Sequence, residues 1–451
     1  MTTTAITVNQ NIFMQGSQRW SPKGVCYQPQ DGVDPLSDDN LATLTHLLDP
    51  ATRYGLLNLG INCLRVYQVD PTKSHDKVMA LLAQHGIYVL VGTVNAGTAI
   101  PRNATSVPAA TIARVKQVAD AFAAYDNVLG FSVANELLEV ANDDLIEIAK
   151  QVKQQMQTYM QTKQYRAIPI GICTRDDPKF TLAATLAYAC GDADTRMDFI
   201  GYNCYRWEVP HGQQPTVGTI QAYYELYDHF KRFPIPVMLT EIGAHCKGGR
   251  DWTQIPYIFG AKQVTSTKGL PAADMASAIS GCFVFRYYEK GAHFGLVEAG
   301  DPDPTPVDGG NGGGGGYDAL SAAYKGITEF GGQAANPDPL PCGPKDGLPT
   351  AVTVTLTNNM DKGQELAFSY SMKAKPGADD WSPAATIAGG GAPVRFKFPA
   401  GTQVISMAYH QDGIWPRGCQ LSGSALTALK DGQTITGSWA APGGNGTCPV
   451  S

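Results

Sequence analysis

The sequence lacks the features that would direct the protein to a membrane or to a nucleic acid. No run of about 18 uncharged apolar residues is present, so no segment is long enough to span a bilayer. Lysine and arginine are not clustered, and the formal net charge is -6. A nucleic-acid surface would need a concentrated basic patch. We therefore expect no transmembrane segment and no nucleic-acid partner.

Several catalytic motifs are also missing. The histidines form no His-x-x-x-His pair and the cysteines form no Cys-x-x-Cys pair, so we expect neither a metal nor a cofactor. No Gly-x-Ser-x-Gly elbow for a serine hydrolase occurs. The glycine-rich run 309–316 lacks the lysine and hydroxyl residue of a phosphate-binding loop, and we interpret it as a mobile surface loop.

The N-terminus and the cysteines leave the cellular compartment open. Residues 1–7 have neither the basic nor the apolar part of a signal peptide, so the protein is either cytoplasmic or has lost its signal. Five cysteines lie inside apolar runs and are expected to be buried free thiols, namely Cys26, Cys63, Cys173, Cys204 and Cys282. Five others lie in loop-like surroundings and could form disulfides, namely Cys190, Cys246, Cys342, Cys419 and Cys448.

Short apolar runs alternate with amphipathic stretches over the first 330 residues. We predict eight strands, at Gly24–Tyr27, Ile61–Tyr67, Ile87–Thr93, Val128–Ala134, Ile168–Thr174, Phe199–Tyr205, Val237–Thr240 and Cys282–Tyr287. Each run is apolar throughout its middle, which is typical of parallel strands covered by helices on both faces. Eight such units predict an α/β fold, a (β/α)8 TIM barrel. The alternative, a doubly wound open sheet, would need a glycine-rich turn after the first strand, and none is present.

The remaining elements complete this organisation. Helices are predicted at His46–Asn58, Ser74–His85, Ala109–Tyr125, Asp143–Thr162, Lys179–Ala189, Thr219–Lys231 and Tyr317–Phe330, with a hairpin over Ile6–Lys23. The C-terminal region shows short strands with turn signals between them, at Ala351–Thr357, Glu365–Met372, Val394–Phe398, Gln403–Tyr409 and Thr434–Trp439, which predicts an all-β sandwich. We place the barrel at residues 1–335, a linker at 336–348 and the sandwich at 349–451.

Two carboxylates mark the C-terminal ends of the predicted strands, where barrel enzymes carry out their chemistry. Glu136 follows the fourth strand and Glu241 follows the seventh, while tyrosines end several others. One such carboxylate can protonate a glycosidic oxygen while the other attacks the anomeric carbon, and tyrosine rings can stack on sugars. A single rim glutamate could equally well pair with a basic residue. The combination of Asn135-Glu136 with Glu241 favours the catalytic interpretation.

An ordered series of segments resembles the fungal β-1,3-glucanosyltransferases, glycoside hydrolase family 72. The segments are Gly24–Pro29, Asp34–Asp38, Leu64–Asp76, Asn127–Glu136, Cys190–Asp192, Pro236–Gly243 and Phe294–Val297. They cover roughly residues 10–330, and the chain is identified as a divergent member of that family.

The resemblance implies a role for each matching residue. Glu136 resembles the acid/base and Glu241 the nucleophile. Asn135 resembles the residue that binds the 2-hydroxyl of the reacting sugar, Arg65 would hold the nucleophile ionised, and Tyr205 would hydrogen-bond to it. Other residues resemble sugar-subsite residues, namely Tyr27, Gln28, Tyr67, Asp176 and Tyr287. Gly92 stands where an aspartate is expected. The resemblance further implies a disulfide from Cys190, for which Cys342 is well placed, and Cys419 could pair with Cys448 in the sandwich.

The implied function is cleavage of a β-1,3-glucan donor and its transfer to a glucan acceptor with retention of configuration. In a retaining enzyme of this type the two carboxyl groups lie about 5–5.5 Å apart. Such a protein would be secreted or associated with the cell wall. The alternatives are an endo-β-1,3-glucanase that uses water as acceptor, a hydrolase of another β-glycan, and a non-catalytic glucan-binding wall protein.

Overall fold

A computed structural model of the protein describes residues 3–138, 143–177, 181–191, 193–300, 303–309, 314–327, 352–362, 364–373, 376, 380–399, 401–409, 417–439 and 446–451. The chain divides into two compact units. The first contains residues 1–139, 147–176 and 192–340, and the second contains residues 140–146, 177–191 and 341–451. The predicted linker 336–348 lies outside the described residues, so the domain limits stay a prediction.

A closed barrel of eight parallel strands forms the centre of the first unit. After the N-terminal strands β1 to β3 (Ile6–Asn9, Ile12–Gln15, Gln18–Trp20), the barrel strands are β4 Lys23–Cys26, β5 Cys63–Val66, β6 Tyr88–Gly92, β7 Val128–Asn135, β8 Ile170–Arg175, β9 Ile200–Asn203, β10 Val237–Ile242 and β11 Cys282–Val284. Strand β11 pairs with β4 and closes the barrel. All eight predicted strands are therefore confirmed.

Helices connect the strands along the chain, as a (β/α)8 architecture requires. Their bounds are α1 Leu41–Leu47, α2 Leu56–Leu59, α3 Asp76–Gln84, α4 Ala109–Phe122, α5 Asp143–Thr162, α6 Thr181–Ala189, α7 Val217–Phe230, α8 Ile255–Ile258 and α9 Tyr317–Lys325. Short 3-10 turns lie at Asp38–Asn40 and Met275–Ser277, and β12 (Val297–Glu298) pairs with β13 (Thr305–Pro306). No helix among the described residues has both the length and the apolar character needed to cross a bilayer.

The three-stranded sheet β1–β3 covers the N-terminal end of the barrel. Its residues Ile6, Phe13 and Trp20 belong to one buried cluster with residues near the strand starts, including Tyr88 and Phe199. The ring of Trp20 lies 5.1 Å from that of Tyr88, and the ring of Phe13 lies 6.2 Å from that of Phe199. Because this end is filled with apolar side chains, the opposite end is the one available for chemistry.

Two four-stranded sheets form most of the second unit, which also contains helix α6. The sheet orders are β17-β14-β20-β21 and β16-β15-β18-β19, with β14 Val352–Asn358, β15 Glu365–Ser371, β16 Ser382–Ala388, β17 Val394–Phe398, β18 Val404–Tyr409, β19 Arg417–Ser422, β20 Thr434–Trp439 and β21 Gly446–Thr447, and with helix α10 at Gly423–Thr427. Both sheets contribute to one apolar core that contains Leu356, Phe368, Met407 and Ile435. This confirms the sandwich.

The cysteines follow the predictions with one exception. The disulfide Cys419–Cys448 is present, with 6.1 Å between the Cα atoms. Cys190 is disulfide-bonded, but its predicted partner Cys342 lies outside the described residues, so that pairing stays a prediction. The five cysteines in apolar runs are free and buried, and so is Cys246, which lies in a loop as expected but forms no disulfide.

Two local predictions are wrong. A single helix over His46–Asn58 is replaced by α1 and α2, because Pro50 has no N–H and the Asp49 carboxylate accepts the amide of Ala51 at 2.8 Å in a turn. The glycine run is not a mobile surface loop in its described part. Gly314 and Gly315 are buried, and a Cβ on Gly316, which has φ 81°, would lie 2.1 Å from the carbonyl oxygen of Arg250.

Candidate active site

The two predicted carboxylates lie at the C-terminal ends of β7 and β10. Glu136 follows the last residue of β7 and is half-buried, and Glu241 lies within β10 and is 6% exposed. Glu136 has a φ of 51°, which is unusual for a residue with a side chain. Its amide donates to the carbonyl oxygen of Cys173 at 2.9 Å. Backbone strain of this kind persists where the surrounding structure holds it.

Three donors converge on the carboxyl group of Glu241. The Arg65 guanidinium (Nη1) and the Tyr67 hydroxyl reach Oε1 at 3.0 and 2.8 Å, and the Tyr205 hydroxyl reaches Oε2 at 2.6 Å. An ionised carboxylate accepts hydrogen bonds and donates none, so this set of donors suits that form. Tyr205 thus has the contact that the family resemblance implied for it.

Arg65 extends this network behind Glu241. It is 3% exposed, and it donates to the carbonyl oxygen of Thr240 at 2.7 Å and to the side-chain oxygens of Asn203 and Asn135 at 3.2 and 2.7 Å. Burial would lower the pKa of Arg65, but the nearby acidic groups, Glu241 among them, raise it well above its usual value. Arg65 is therefore a permanent cation beside Glu241.

Asn135 is exposed and its amide orientation is defined by its neighbours. Its Oδ1 accepts from Arg65 at 2.7 Å and from the amide nitrogen of Asn203 at 3.2 Å. The nitrogen is consequently the atom left to face a substrate. Binding of a sugar 2-hydroxyl by this N–H group stays a prediction that the geometry permits.

An aromatic wall, made of Tyr67, Tyr205, Phe285 and Phe294, includes the two tyrosines that hydrogen-bond to Glu241. All four side chains are half-buried, and the ring of Phe285 lies 5.3 to 6.3 Å from the other three. Burial and the Glu241 carboxylate raise the pKa of Tyr205, and burial raises that of Tyr67. Both hydroxyls therefore stay protonated and act as donors at ordinary pH.

Tyr27 and Tyr287 differ from the prediction. They are 1% and 0% exposed, and the Tyr287 hydroxyl donates to the carbonyl oxygen of Tyr54 at 2.7 Å. Tyr288, which is half-buried, lies against both rings. Rings enclosed in this way offer no face to a sugar, which argues against the direct sugar contact predicted for Tyr27 and Tyr287.

Gln28 and Asp176 are engaged in local contacts. Gln28 accepts the backbone amide of Tyr67 at 3.2 Å and so ties the first loop to the aromatic wall. Asp176 accepts two hydrogen bonds from Arg206, at 2.5 and 2.6 Å, and one from the Tyr202 hydroxyl at 2.9 Å. Both are half-buried, and their predicted sugar contacts remain predictions.

The sequence reasoning assigned no role to Asn203, Thr240, Phe285 or Phe294. Asn203 donates to Oε1 of Glu136 at 2.7 Å and accepts from the Thr240 hydroxyl at 2.9 Å. A usable signal existed, because Asn203 and Tyr205 are two residues apart at a strand end and such residues point to the same side of the sheet. Phe285 and Phe294 carry no polar group that would have drawn attention to them.

A buried arginine and a carboxylate secure the loops beside the aromatic wall. Arg250 is 3% exposed and donates to five carbonyl oxygens, those of Gly243, Phe285, Phe294, Gly295 and Gly315. Burial lowers the pKa of Arg250 to about 10. In the loop that follows β11, the Glu289 carboxylate accepts hydrogen bonds from the amides of Lys290, His293 and Gly295 at 2.6 to 2.9 Å.

The charge of Glu289 depends on these amides. Burial would raise the pKa of the Glu289 carboxyl, but the backbone amides of Gly295, His293, Lys290 and Ala292 together lower it below the ordinary value of 4.5. The carboxylate and the guanidinium thus hold one loop through its amides and its carbonyls.

Within the described part of the chain, no cluster of His, Cys, Asp or Glu has the arrangement of a metal site.

Comparison with known proteins agrees with this geometry. A family model for glycoside hydrolase family 72, described as glucanosyltransferase, matches residues 1–309. The 1,3-beta-glucanosyltransferase GAS2 of Saccharomyces cerevisiae is 31% identical over 319 residues, which are 68% of this chain and 54% of GAS2. The corresponding gas5 of Schizosaccharomyces pombe is 29% identical over 370 residues, 80% of this chain and 68% of gas5.

Solved structures are similar as well. Saccharomyces cerevisiae Gas2p in complex with laminaritriose and laminaritetraose has a TM-score of 0.61 and 27% identity, and the match covers 74% of this chain and 71% of that chain. The chain spans little more than half the length of its curated relative GAS2.

Proposed function

Because the chain belongs to the glucanosyltransferase family, glycoside hydrolase family 72, we propose that it cleaves a β-1,3-glucan donor and transfers it to a glucan acceptor by double displacement. The observation that carries the proposal is the pair Glu136 and Glu241, two carboxylates joined through Arg65 and Asn203 at one barrel mouth. The Gas2p complexes with laminari-oligosaccharides support β-1,3-glucan as the substrate.

The first displacement forms a covalent glycosyl-enzyme. Glu241 attacks the anomeric carbon while Glu136 protonates the leaving glycosidic oxygen, as retaining glycosidases do. Arg65, Tyr67 and Tyr205 hold the attacking carboxylate in place. We expect the two carboxyl groups to lie about 5–5.5 Å apart, as this mechanism requires.

The second displacement decides between transfer and hydrolysis. Glu136, now a base, takes a proton from the acceptor hydroxyl. At the same time the oxygen of that hydroxyl attacks the anomeric carbon. Water at about 55 M competes with a sugar at millimolar concentration, yet oriented groups reach effective molarities of about 10⁵ M or more. Transfer therefore needs a surface that orients the acceptor ring. The half-buried aromatic wall can offer such a surface. Trp207, another aromatic residue that follows β9, cannot, because it is 3% exposed and donates its indole N–H to Thr253.

Carboxamide variants test the catalytic pair. Glu136→Gln and Glu241→Gln should each lower turnover of laminarin oligosaccharides by about 10³-fold or more while the melting temperature stays close to that of the parent. Azide should rescue Glu241→Ala and give a glycosyl azide of inverted configuration. Glu298→Gln, a change at an exposed residue of β12, is the matched control. A folded Glu241→Ala protein with near-normal activity would contradict the assignment of Glu241 as the nucleophile and would favour the non-catalytic glucan-binding alternative.

Product analysis separates transfer from hydrolysis. A reduced, end-labelled laminari-oligosaccharide is incubated with the protein and early products are separated by chromatography and mass. Products longer than the donor, with β linkage retained, support transfer. Only shorter products at high acceptor concentration would indicate an endo-β-1,3-glucanase, and activity on another glycan of a polysaccharide panel would change the substrate class.

The location follows from the same reasoning. We propose that the protein is secreted or associated with the cell wall, where its polymeric substrate is found. The disulfide Cys419–Cys448 and the disulfide-bonded Cys190 support an oxidising compartment.

A further inference from the structure

Asn203 lies between the two candidate catalytic carboxylates. It is the last residue of β9 and is 2% exposed. Its amide nitrogen donates to Oε1 of Glu136 at 2.7 Å and to the oxygen of Asn135 at 3.2 Å. A buried amide with such partners constrains both groups that it touches.

The orientation of this amide follows from its other contacts. The side-chain oxygen of Asn203 accepts from the Arg65 guanidinium at 3.2 Å and from the Thr240 hydroxyl at 2.9 Å. A guanidinium carries donors only, so a flipped amide would set an NH2 group against Arg65. The nitrogen must therefore face Glu136, and Glu136 receives a donor that cannot become an acceptor.

We propose that Asn203 is a positioning residue that selects which oxygen of Glu136 carries the transferable proton. The proposal rests on the proposed function, in which Glu136 is the acid/base. In a carboxylic acid the carbonyl oxygen is the better acceptor and the hydroxyl oxygen is the donor. Because Oε1 accepts the Asn203 N–H, Oε1 is the carbonyl oxygen and the proton resides on Oε2.

The selected oxygen then serves both halves of the reaction. In the first, the proton on Oε2 moves to the glycosidic oxygen, which keeps the bonding pair of the breaking C–O bond, while a lone pair of Glu241 forms the new bond to the anomeric carbon. In the second, the acceptor oxygen bonds to that carbon, its proton returns to Oε2, and the bonding pair returns to Glu241. Protons and electrons balance without any further reactant.

The need for such an anchor follows from side-chain freedom. The terminal torsion of a glutamate is broad and roughly two-fold, so its two oxygens exchange places easily. The backbone of Glu136 is held by its amide contact to Cys173, but that contact does not restrict the carboxyl group. The Asn203 N–H supplies the missing restraint.

The test compares two donors that differ in their need for acid catalysis. Asn203→Asp keeps the shape of the side chain and removes the donor, and Asn203→Ala removes the whole amide. With a laminari-oligosaccharide both should lower kcat/KM roughly 10- to 100-fold, a part of the 10²–10⁴ that a positioned acid contributes. With a 2,4-dinitrophenyl β-laminarioside, whose leaving group needs no proton, the loss in kcat/KM should stay below about 3-fold.

A second readout addresses the base step. With the dinitrophenyl donor the second displacement limits kcat, which should fall in the variants and be restored by azide, a nucleophile that needs no base. If Asn203 had a merely structural role, its variants would lower kcat/KM equally with both donors, and azide would not restore the rate. Either that result, or glucan activity retained in both variants, would overturn the proposal. The proposed function fails separately, if Glu136→Gln itself retains turnover.

Discussion

The hydroxyl of Tyr205 offers a sharp test of how Glu241 is held. It donates to Oε2 of Glu241 at 2.6 Å, whereas Tyr67 and Arg65 donate to Oε1. Tyr205→Phe removes one atom and keeps the ring that packs 5.6 Å from Phe294. The change therefore isolates one hydrogen bond to a charged group.

The magnitude follows from the charge on Glu241 along the reaction. A hydrogen bond to a charged group contributes about 1.5–3 kcal/mol, which corresponds to roughly 10- to 150-fold in an equilibrium. In the proposed mechanism Glu241 attacks as a carboxylate and becomes a neutral ester in the glycosyl-enzyme. Loss of the Tyr205 hydroxyl therefore destabilises the free carboxylate more than the ester, and it shifts the balance towards the covalent intermediate by up to that factor.

The rates should change in the same sense. In the proposed second displacement Glu241 is the leaving group and regains its charge, so the Tyr205 hydroxyl would stabilise that transition state. We expect Tyr205→Phe to slow deglycosylation more than glycosylation and to lower kcat about 10-fold or more. The covalent glycosyl-enzyme should accumulate to a clearly larger fraction than in the parent protein.

Rapid quenching followed by intact-protein mass spectrometry measures that fraction with an activated laminarioside donor. The matched control is Tyr159→Phe, which removes the same hydroxyl from a surface pair with Asp120, where the hydrogen bond is 2.8 Å long. A Tyr205→Phe protein that is folded, turns over within two-fold of the parent and accumulates no additional intermediate would refute the reasoning.

Three further predictions concern the surroundings of the site. A Cβ on Gly92 would lie 2.1 Å from the carbonyl oxygen of Tyr67, so Gly92→Ala should cost about 1–3 kcal/mol in the free energy of unfolding and lower activity by displacing Tyr67, as denaturant melts and assays will measure. The lowered pKa of Glu289 means that its contribution to stability is present above pH 4.5 and is lost as the pH falls through that lowered pKa. Glu289→Gln should therefore lower Tm at pH 7, and the difference from the parent should narrow as the pH falls through the lowered pKa of Glu289. Burial raises the pKa of the Cys26 and Cys282 thiols to about 12, so neither should react with iodoacetamide at about pH 8 until guanidinium unfolds the barrel; labelling of the native protein would contradict the burial.

The barrel strands were predictable because burial on both faces leaves a continuous apolar run. The interior of β10, for example, reads as buried throughout. The same signal fails at sheet edges. Strand β16, Ser382–Ala388, lies at the edge of its sheet and contains Pro383, and its composition did not predict a strand.

The depth of each site residue was less predictable than its position along the chain. Tyr27 and Tyr287 follow barrel strands, as Tyr67 and Tyr205 do, but they are enclosed by Tyr288 and by neighbouring loops. Loop packing over a strand end is a long-range property that one strand's composition does not encode. The enclosure of the Tyr27 and Tyr287 rings is therefore visible only in the three-dimensional structure.

The glycine-rich run shows a second limit of composition. Glycine supplies both flexibility and close backbone approach, and the run alone does not distinguish the two. The structure decides for Gly315, where φ is 79° and a Cβ would lie 2.4 Å from the carbonyl oxygen of Val307. Its own carbonyl accepts from Arg250, so this glycine is part of the packed wall of the site.

The shared network makes the site residues interdependent. Arg65 contacts Glu241 and Asn203, and Asn203 contacts Glu136, so a change at Arg65 reaches both carboxylates. Effects of residues that act as one unit are strongly non-additive. If Asn203→Asp has already released Glu136, adding Arg65→Lys causes only the further loss of activity that comes from its effect on Glu241. The double variant should therefore lose less activity than the product of the two single losses. Simple multiplication would mean instead that the two carboxylates are held independently, despite the hydrogen bonds that join them.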